Sequence, residues 1–253
     1  IDLSNGNIIH TFTTGKYGKY SISIPFSMLP DKYKIEFTGG TDIATNKPLQ
    51  GKLSNVSTKN NAILSGEIAL NITPITTLVT LLTEQTASND IDTAKQSVAS
   101  SLDLQLNDID KNYIDEGIDT ISKAVNTIET INNVFYSSID NVDRDNVMTS
   151  IANVINNSSG TLDFTDSSGD SDLQAIISDI KTIENVTVTD TTQSNLLDFT
   201  SGIVDNISSS SSILDGLKLK EAASDILSDN NNDISDESFN SSSLVSSSIN
   251  IKD

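Results

Sequence analysis

Proton transfer near neutral pH needs a group that titrates there, and this chain has a single histidine, His10. Its neighbours Ile8 and Phe12 alternate with it, so it reads as a structural or exposed strand residue and not as a catalytic base. Cysteine is absent, which excludes thiol catalysis, Cys-ligated zinc and iron–sulfur clusters. Carboxylates are plentiful, and Glu36 and Glu67 lie on candidate strands, but nothing in the sequence aims them at a common cleft. Gly15 and Gly18 lack the strand–glycine–helix setting of a phosphate-cradling loop. No catalytic apparatus and no cofactor site is legible, and the expectation is a protein that is not an enzyme.

Calcium is the one ion the residues suggest. Asp, Asn and Ser cluster over residues 140–145, 166–172 and 229–233, with Asp166, Asp170 and Asp172 the best candidate ligands. None of the clusters has the twelve-residue loop with glycine at six and glutamate at twelve, and helix capping by Asp143, Asp172 and Asp233 accounts for most of them. Glycan acceptor triplets begin at Asn55, Asn71, Asn156, Asn157, Asn185, Asn206 and Asn240. A chain this rich in Asn, Ser and Thr generates them by chance. Asn71 is the least suited to modification, because it sits where the chain should be packed.

The elements around these residues are set by composition. The 253 residues carry 15 Lys+Arg against 35 Asp+Glu, a net charge of −20. That balance repels nucleic-acid phosphates and anionic membrane surfaces. No apolar run approaches the ~20 residues of a membrane span. The hydrophobic fraction is 36%, with no Trp, and the polar remainder suits turns, caps and sheet surfaces.

Residues 1–72 carry strand signals. Ile8 to Phe12, Tyr20 to Ile24 and Tyr33 to Phe37 alternate apolar with polar, and 51–56 and 62–70 are further candidates. Pro25, Pro30, Gly39 and Gly40 break the runs. Five strands are few for an independent sandwich of ~7. Then Thr73 reads as a helix N-cap, Pro74 as the first helical residue, and Leu78, Leu81 and Leu82 fall at helical spacing. This segment should join the β part to the α part with no flexible linker.

The passages Thr13-Thr14-Gly15-Lys16-Tyr17-Gly18-Lys19-Tyr20-Ser21-Ile22, Tyr33-Lys34-Ile35, Gly39-Gly40-Thr41-Asp42-Ile43-Ala44-Thr45, Gly51-Lys52-Leu53 and Thr73-Pro74-Ile75-Thr76-Thr77-Leu78 resemble, in that order, a module of large secreted microbial surface proteins of adhesin type. There a carboxypeptidase-regulatory-like β-sandwich ends in a "GGTD…TG…L.G.L" passage, and a "TPLTTL" helix start and a helical region follow. The likeness covers about residues 8–105. Family members commonly carry an acidic calcium-type loop upstream of the first matched strand, which lies before the start of this chain and is not carried over. The resemblance implies an extracellular structural or adhesive role.

Residues 74–228 carry helix signals. Asp90 or Asp92 can cap a helix through Ala94, Val98 and Leu102. The longest stripe is Ile114, Ile118, Ile121, Val125, Ile128, Ile131 and Phe135. Shorter stripes run Val147 to Ile155, Leu173 to Ile183, Leu196 to Ile207 and Leu214 to Leu227, each with Asp, Ser, Asn or Thr opposite. Narrow stripes with recurring polar breaks favour a bundle over an intermolecular coiled coil. Residues 229–253 read either as a disordered tail or as a strand, with Leu244, Val245, Ile249 and Ile251 as its apolar positions. Such a strand would complete an open sheet edge in its own chain or in a neighbour.

The expected fold is α+β: a small antiparallel β-sandwich-like module over 1–72, a helical bundle over 73–228, and a polar linker with a strand-like or disordered tail over 229–253. The expected function is an extracellular structural protein, a self-assembling subunit of a cell-surface filament, sheath or adhesin stalk. The alternative is a monomeric carbohydrate- or calcium-binding adhesin module.

Overall fold

A computed structural model describes residues 1–15, 18–41, 48–61, 70–86 and 90–210, together with positions 218, 222, 223, 225, 226 and 234. The order of elements follows the expectation of strands first and helices after. Strands β1 (Lys32–Thr38) and β2 (Lys52–Thr58) pair antiparallel, with Ile35 opposite Asn55. Helices α1 (Pro74–Gln85), α2 (Ile91–Ser101), α3 (Tyr113–Glu116), α4 (Asp119–Ser138), α5 (Arg144–Asn157), α6 (Asp172–Ile183) and α7 (Asp190–Ser209) follow.

The arrangement is α+β, but it is not a β-sandwich: among the described residues the sheet has two strands. The alternation in residues 8–12 and 20–24 reports something else. Phe12 and Tyr20 stack on Phe37, with ring centroids 5.5 and 5.2 Å from it, and the two segments carry no ladder. Alternation measures which side chains are buried on one face, and an aromatic cluster satisfies it without backbone pairing. The candidate strand at 62–70 lies outside the described residues except for Leu70.

Helix α1 is the middle of the molecule. Thr73 caps it reciprocally with Thr76: each side chain takes the other's backbone N–H. Pro74 occupies the first turn, where a missing N–H costs nothing. β2, α2, α4 and α5 all pack on α1, so nine of its twelve residues are buried, four of them threonines. A threonine can be buried here because its hydroxyl turns back to a carbonyl one turn earlier, as Thr80 does to Thr76 and Thr83 to Val79. Beyond α1 lie α4 and α5, and beyond them α6 and α7, with α4 on α7 and α5 on α6. One apolar core runs through these layers from Val56 on β2 to Phe199 and Ile207 on α7.

Other helix ends obey their local chemistry. Asp90 caps α2 and Asp143 caps α5, as expected. α6 is capped by Ser171, with Asp172 one residue inside the helix. The stripe from Ile114 to Phe135 is two helices. Gly117 takes φ +64°, Ile118 donates back to the Tyr113 carbonyl, and the chain restarts at Asp119. Ile114 is left 63% exposed and off the stripe.

Candidate functional site

The densest polar constellation among the described residues is the seam where the sheet meets the bundle. Antiparallel strands turn alternate backbone groups away from their partner. On β2 those of Lys52 and Ser54 face outward, and the bundle answers each of them. The Lys52 N–H donates to Asp145 Oδ1 of α5 at 2.8 Å. The Ser54 N–H donates to Thr77 Oγ1 at 2.9 Å, and the Ser54 carbonyl lies 2.9 Å from Thr76 Oγ1. A sheet edge that would otherwise expose unpaired groups is closed by side chains of α1 and α5. Asn55, fully buried, adds a bond from Nδ2 to the Asn71 carbonyl, and Asn71 Nδ2 donates to the Asp110 carbonyl. On the other strand, Lys34 Nζ bridges Glu36 at 3.1 Å and Glu84 of α1 at 2.7 Å. Burial lowers the Lys34 pKa, but the two carboxylates outweigh it and the net shift is upward.

Four successive residues at the start of α5 tie four elements together. Asp143 caps its own helix by accepting from the Asp145 N–H at 2.7 Å. The Asp143 N–H and Asn146 Nδ2 both donate to Glu184 Oε1, just past α6, at 2.7 and 2.9 Å. Arg144 donates from Nη2 to Glu129 Oε2 of α4, and both side chains are only 12% exposed. Asp145 reaches back to Lys52 on β2. Gly51 makes that reach possible: it sits at φ +73°, and a Cβ there would lie 2.6 Å from Asp145 Oδ1. Between these groups is a shallow cleft lined by Gln50, Lys52, Glu129, Asn132, Arg144 and Asp145, with room for about one water molecule. Asn132 is buried, and its Oδ1 has no hydrogen-bond donor.

This arrangement can hold elements in register, and its volume does not admit an organic ligand. Sequence reasoning treated residues 140–145 as a cap and a weak calcium candidate and did not find the cross-links. One signal was present: Arg144 is the only arginine among fifteen cationic residues. A planar, always-charged fork is the side chain suited to a desolvated carboxylate partner.

The predicted site residues fall elsewhere. His10 is exposed, in a segment outside regular secondary structure. Asp166, Asp170 and Asp172 do not converge: no three His, Cys, Asp or Glu side chains gather around a point among the described residues. Asp166 instead holds the backbone and hydroxyl of Ser168, and Asp172 Oδ2 accepts from the Asp163 N–H at 2.7 Å. Glu36 is committed to Lys34, and Glu67 lies outside the described residues. So do the tail positions Leu244, Val245, Ile249 and Ile251. The glycan triplet at Asn55 is closed by burial, and Asn71 is engaged in the seam, as its position implied. Among the described residues no helix is long and apolar enough to cross a membrane.

Compared with protein-family models, characterised proteins and solved structures, the chain matches none of them.

Proposed function

We propose that this chain is a passive structural subunit of an extracellular or cell-surface assembly, a building block of a filament, sheath or stalk, with no catalytic turnover. The observation that carries the reading is the seam. A β-module joined by an ordinary linker moves independently of its neighbour. Here the outer edge of β2 is bonded at Lys52 and Ser54 to side chains of α5 and α1, and Val56 belongs to the helical core. Load applied to the sheet passes directly into the bundle. The acidic exterior, at net charge −20, keeps such a body soluble and away from nucleic acids and anionic lipid. The likeness of residues 73–78 and the preceding passages to secreted surface modules points the same way.

Electron microscopy of the full chain at physiological calcium, with and without chelator, tests the reading. Polymers are the expected result. Isolated particles under both conditions would overturn it and favour an adhesin module that acts as a monomer.

A further inference from the structure

The two edges of the sheet are treated differently. The outer edge of β2 is closed by the bundle at Lys52 and Ser54. The outer edge of β1 is only half occupied. Lys32 and Lys34 turn their backbone groups outward, and residues 1–3 pair with them. Leu3 donates to the Lys32 carbonyl at 3.2 Å, Lys34 donates to the Ile1 carbonyl at 2.9 Å, and the Ile1 amine returns to the Lys34 carbonyl at 3.0 Å. By the same alternation Glu36 and Thr38 face outward, and among the described residues neither backbone finds a partner on that side. Two successive open rungs next to an existing ladder are a template for an added strand.

We propose that this edge accepts residues 248–252 of a second copy of the chain, added head to tail. The inference rests on the building-block reading above and names its contact. The occupant is argued from three observations. Residues 248–252, Ser-Ile-Asn-Ile-Lys, alternate as an added strand requires, with Ile249 and Ile251 on one face. Residues 238–251 carry no charge and Lys252 is cationic, so this part of an otherwise acidic chain approaches the acidic Glu36 without repulsion. The point of departure is also far from the acceptor in the layered stack. Ile234 is buried, and its carbonyl accepts from Asn195 Nδ2 on α7 at 2.8 Å. α7 packs on α4 and α6, whereas the sheet packs on α1. A donor leaving one end of the stack and an acceptor at the other make a heterologous contact, which propagates as an open filament.

The 19 residues after Ile234 span at most about 60 Å when extended, so a tail can also fold back on its own sheet. The test separates the two. The chain has no cysteine, so the double variant T38C/I249C carries one thiol at the acceptor and one at the donor. With a short bismaleimide the expected product is a ladder of covalent multimers that is lost on dilution, with T38C–I249C peptides recovered by mass spectrometry. The amide protons of Glu36 and Thr38 should also gain exchange protection in the concentrated wild-type sample. A crosslinked monomer that persists on dilution would place the tail on its own sheet and overturn the proposal. Absence of the T38C–I249C product would overturn it too. If microscopy still shows polymers in that case, the building-block reading stands and only this contact fails; if it shows isolated particles, both fail.

Discussion

The backbone N–H of Ser54 on β2 donates to Oγ1 of Thr77 on α1 over 2.9 Å, and Thr77 Oγ1 in turn lies 2.8 Å from the carbonyl of Thr73, the helix cap. One hydroxyl therefore accepts from the strand and donates to the helix start. Thr77→Val keeps the shape and removes both roles, leaving a buried N–H without a partner. Such a group costs about 1–3 kcal/mol. Urea unfolding should show a loss of that size for Thr77→Val and a much smaller one for Thr77→Ser.

Arg144 and Glu129 should behave as a unit. Removing one partner leaves a nearly buried charge uncompensated, and Arg144→Met alone should cost about 3 kcal/mol. Replacing both, Arg144→Met with Glu129→Leu, removes the stranded charge and should recover most of that loss. A double-mutant cycle by chemical denaturation measures the coupling. Additive losses would show that the pair is not coupled in solution.

Gly51 is required for two separate reasons. Its φ of +73° disfavours any side chain, and a Cβ would collide with Asp145 Oδ1. Gly51→Ala should cost about 1–3 kcal/mol. It should also release the Lys52 N–H from Asp145, which appears as faster amide exchange at Lys52. Faster exchange at Lys52 should likewise follow Asp145→Ala, which leaves the backbone of Gly51 unchanged.

Stability should fall above pH 10. Burial lifts the phenol of Tyr20, which donates to the Leu70 carbonyl at 2.6 Å, from 10.0 to about 12. Burial also raises Tyr33, against an opposing hydrogen bond from Ser57. Lys34 is raised because Glu84 and Glu36 outweigh its desolvation. A raised folded-state pKa contributes stability that is complete below the unfolded-state value and is lost as pH climbs through the folded-state value. For Tyr20 that window is pH 10 to about 12. Tyr20→Phe should flatten the alkaline limb of a stability–pH curve, and an unchanged limb would contradict the assignment.

Much of this architecture was legible in the residues. Thr73 and Pro74 announced the start of α1, and the stripes at 147–155, 173–183 and 196–207 became α5, α6 and α7. What failed did so for identifiable reasons. Alternation at Ile8, Phe12, Tyr20 and Ile24 was produced in part by the packing of Phe12 and Tyr20 on Phe37, which a strand reading cannot distinguish from a ladder. The 114–135 stripe ignored Gly117, whose left-handed backbone ends α3. The seam was invisible because its bonds join residues 23 and 93 positions apart, Ser54 to Thr77 and Lys52 to Asp145, and no local pattern encodes such pairs. The polar face of α4 was expected to be solvated. Burial of Asn126, Thr130 and Asn132 follows from α4 being packed by α1, α5 and α7.

The central claim is that sheet and bundle open together. Native-state amide exchange measures this directly, at Leu53 and Asn55 on β2 against Leu78 on α1 and Ile128 on α4. The account predicts one shared opening free energy for all four, lowered equally by Thr77→Val. Exchange at Leu53 and Asn55 orders of magnitude faster than at Leu78 and Ile128, and unaffected by that substitution, would contradict it.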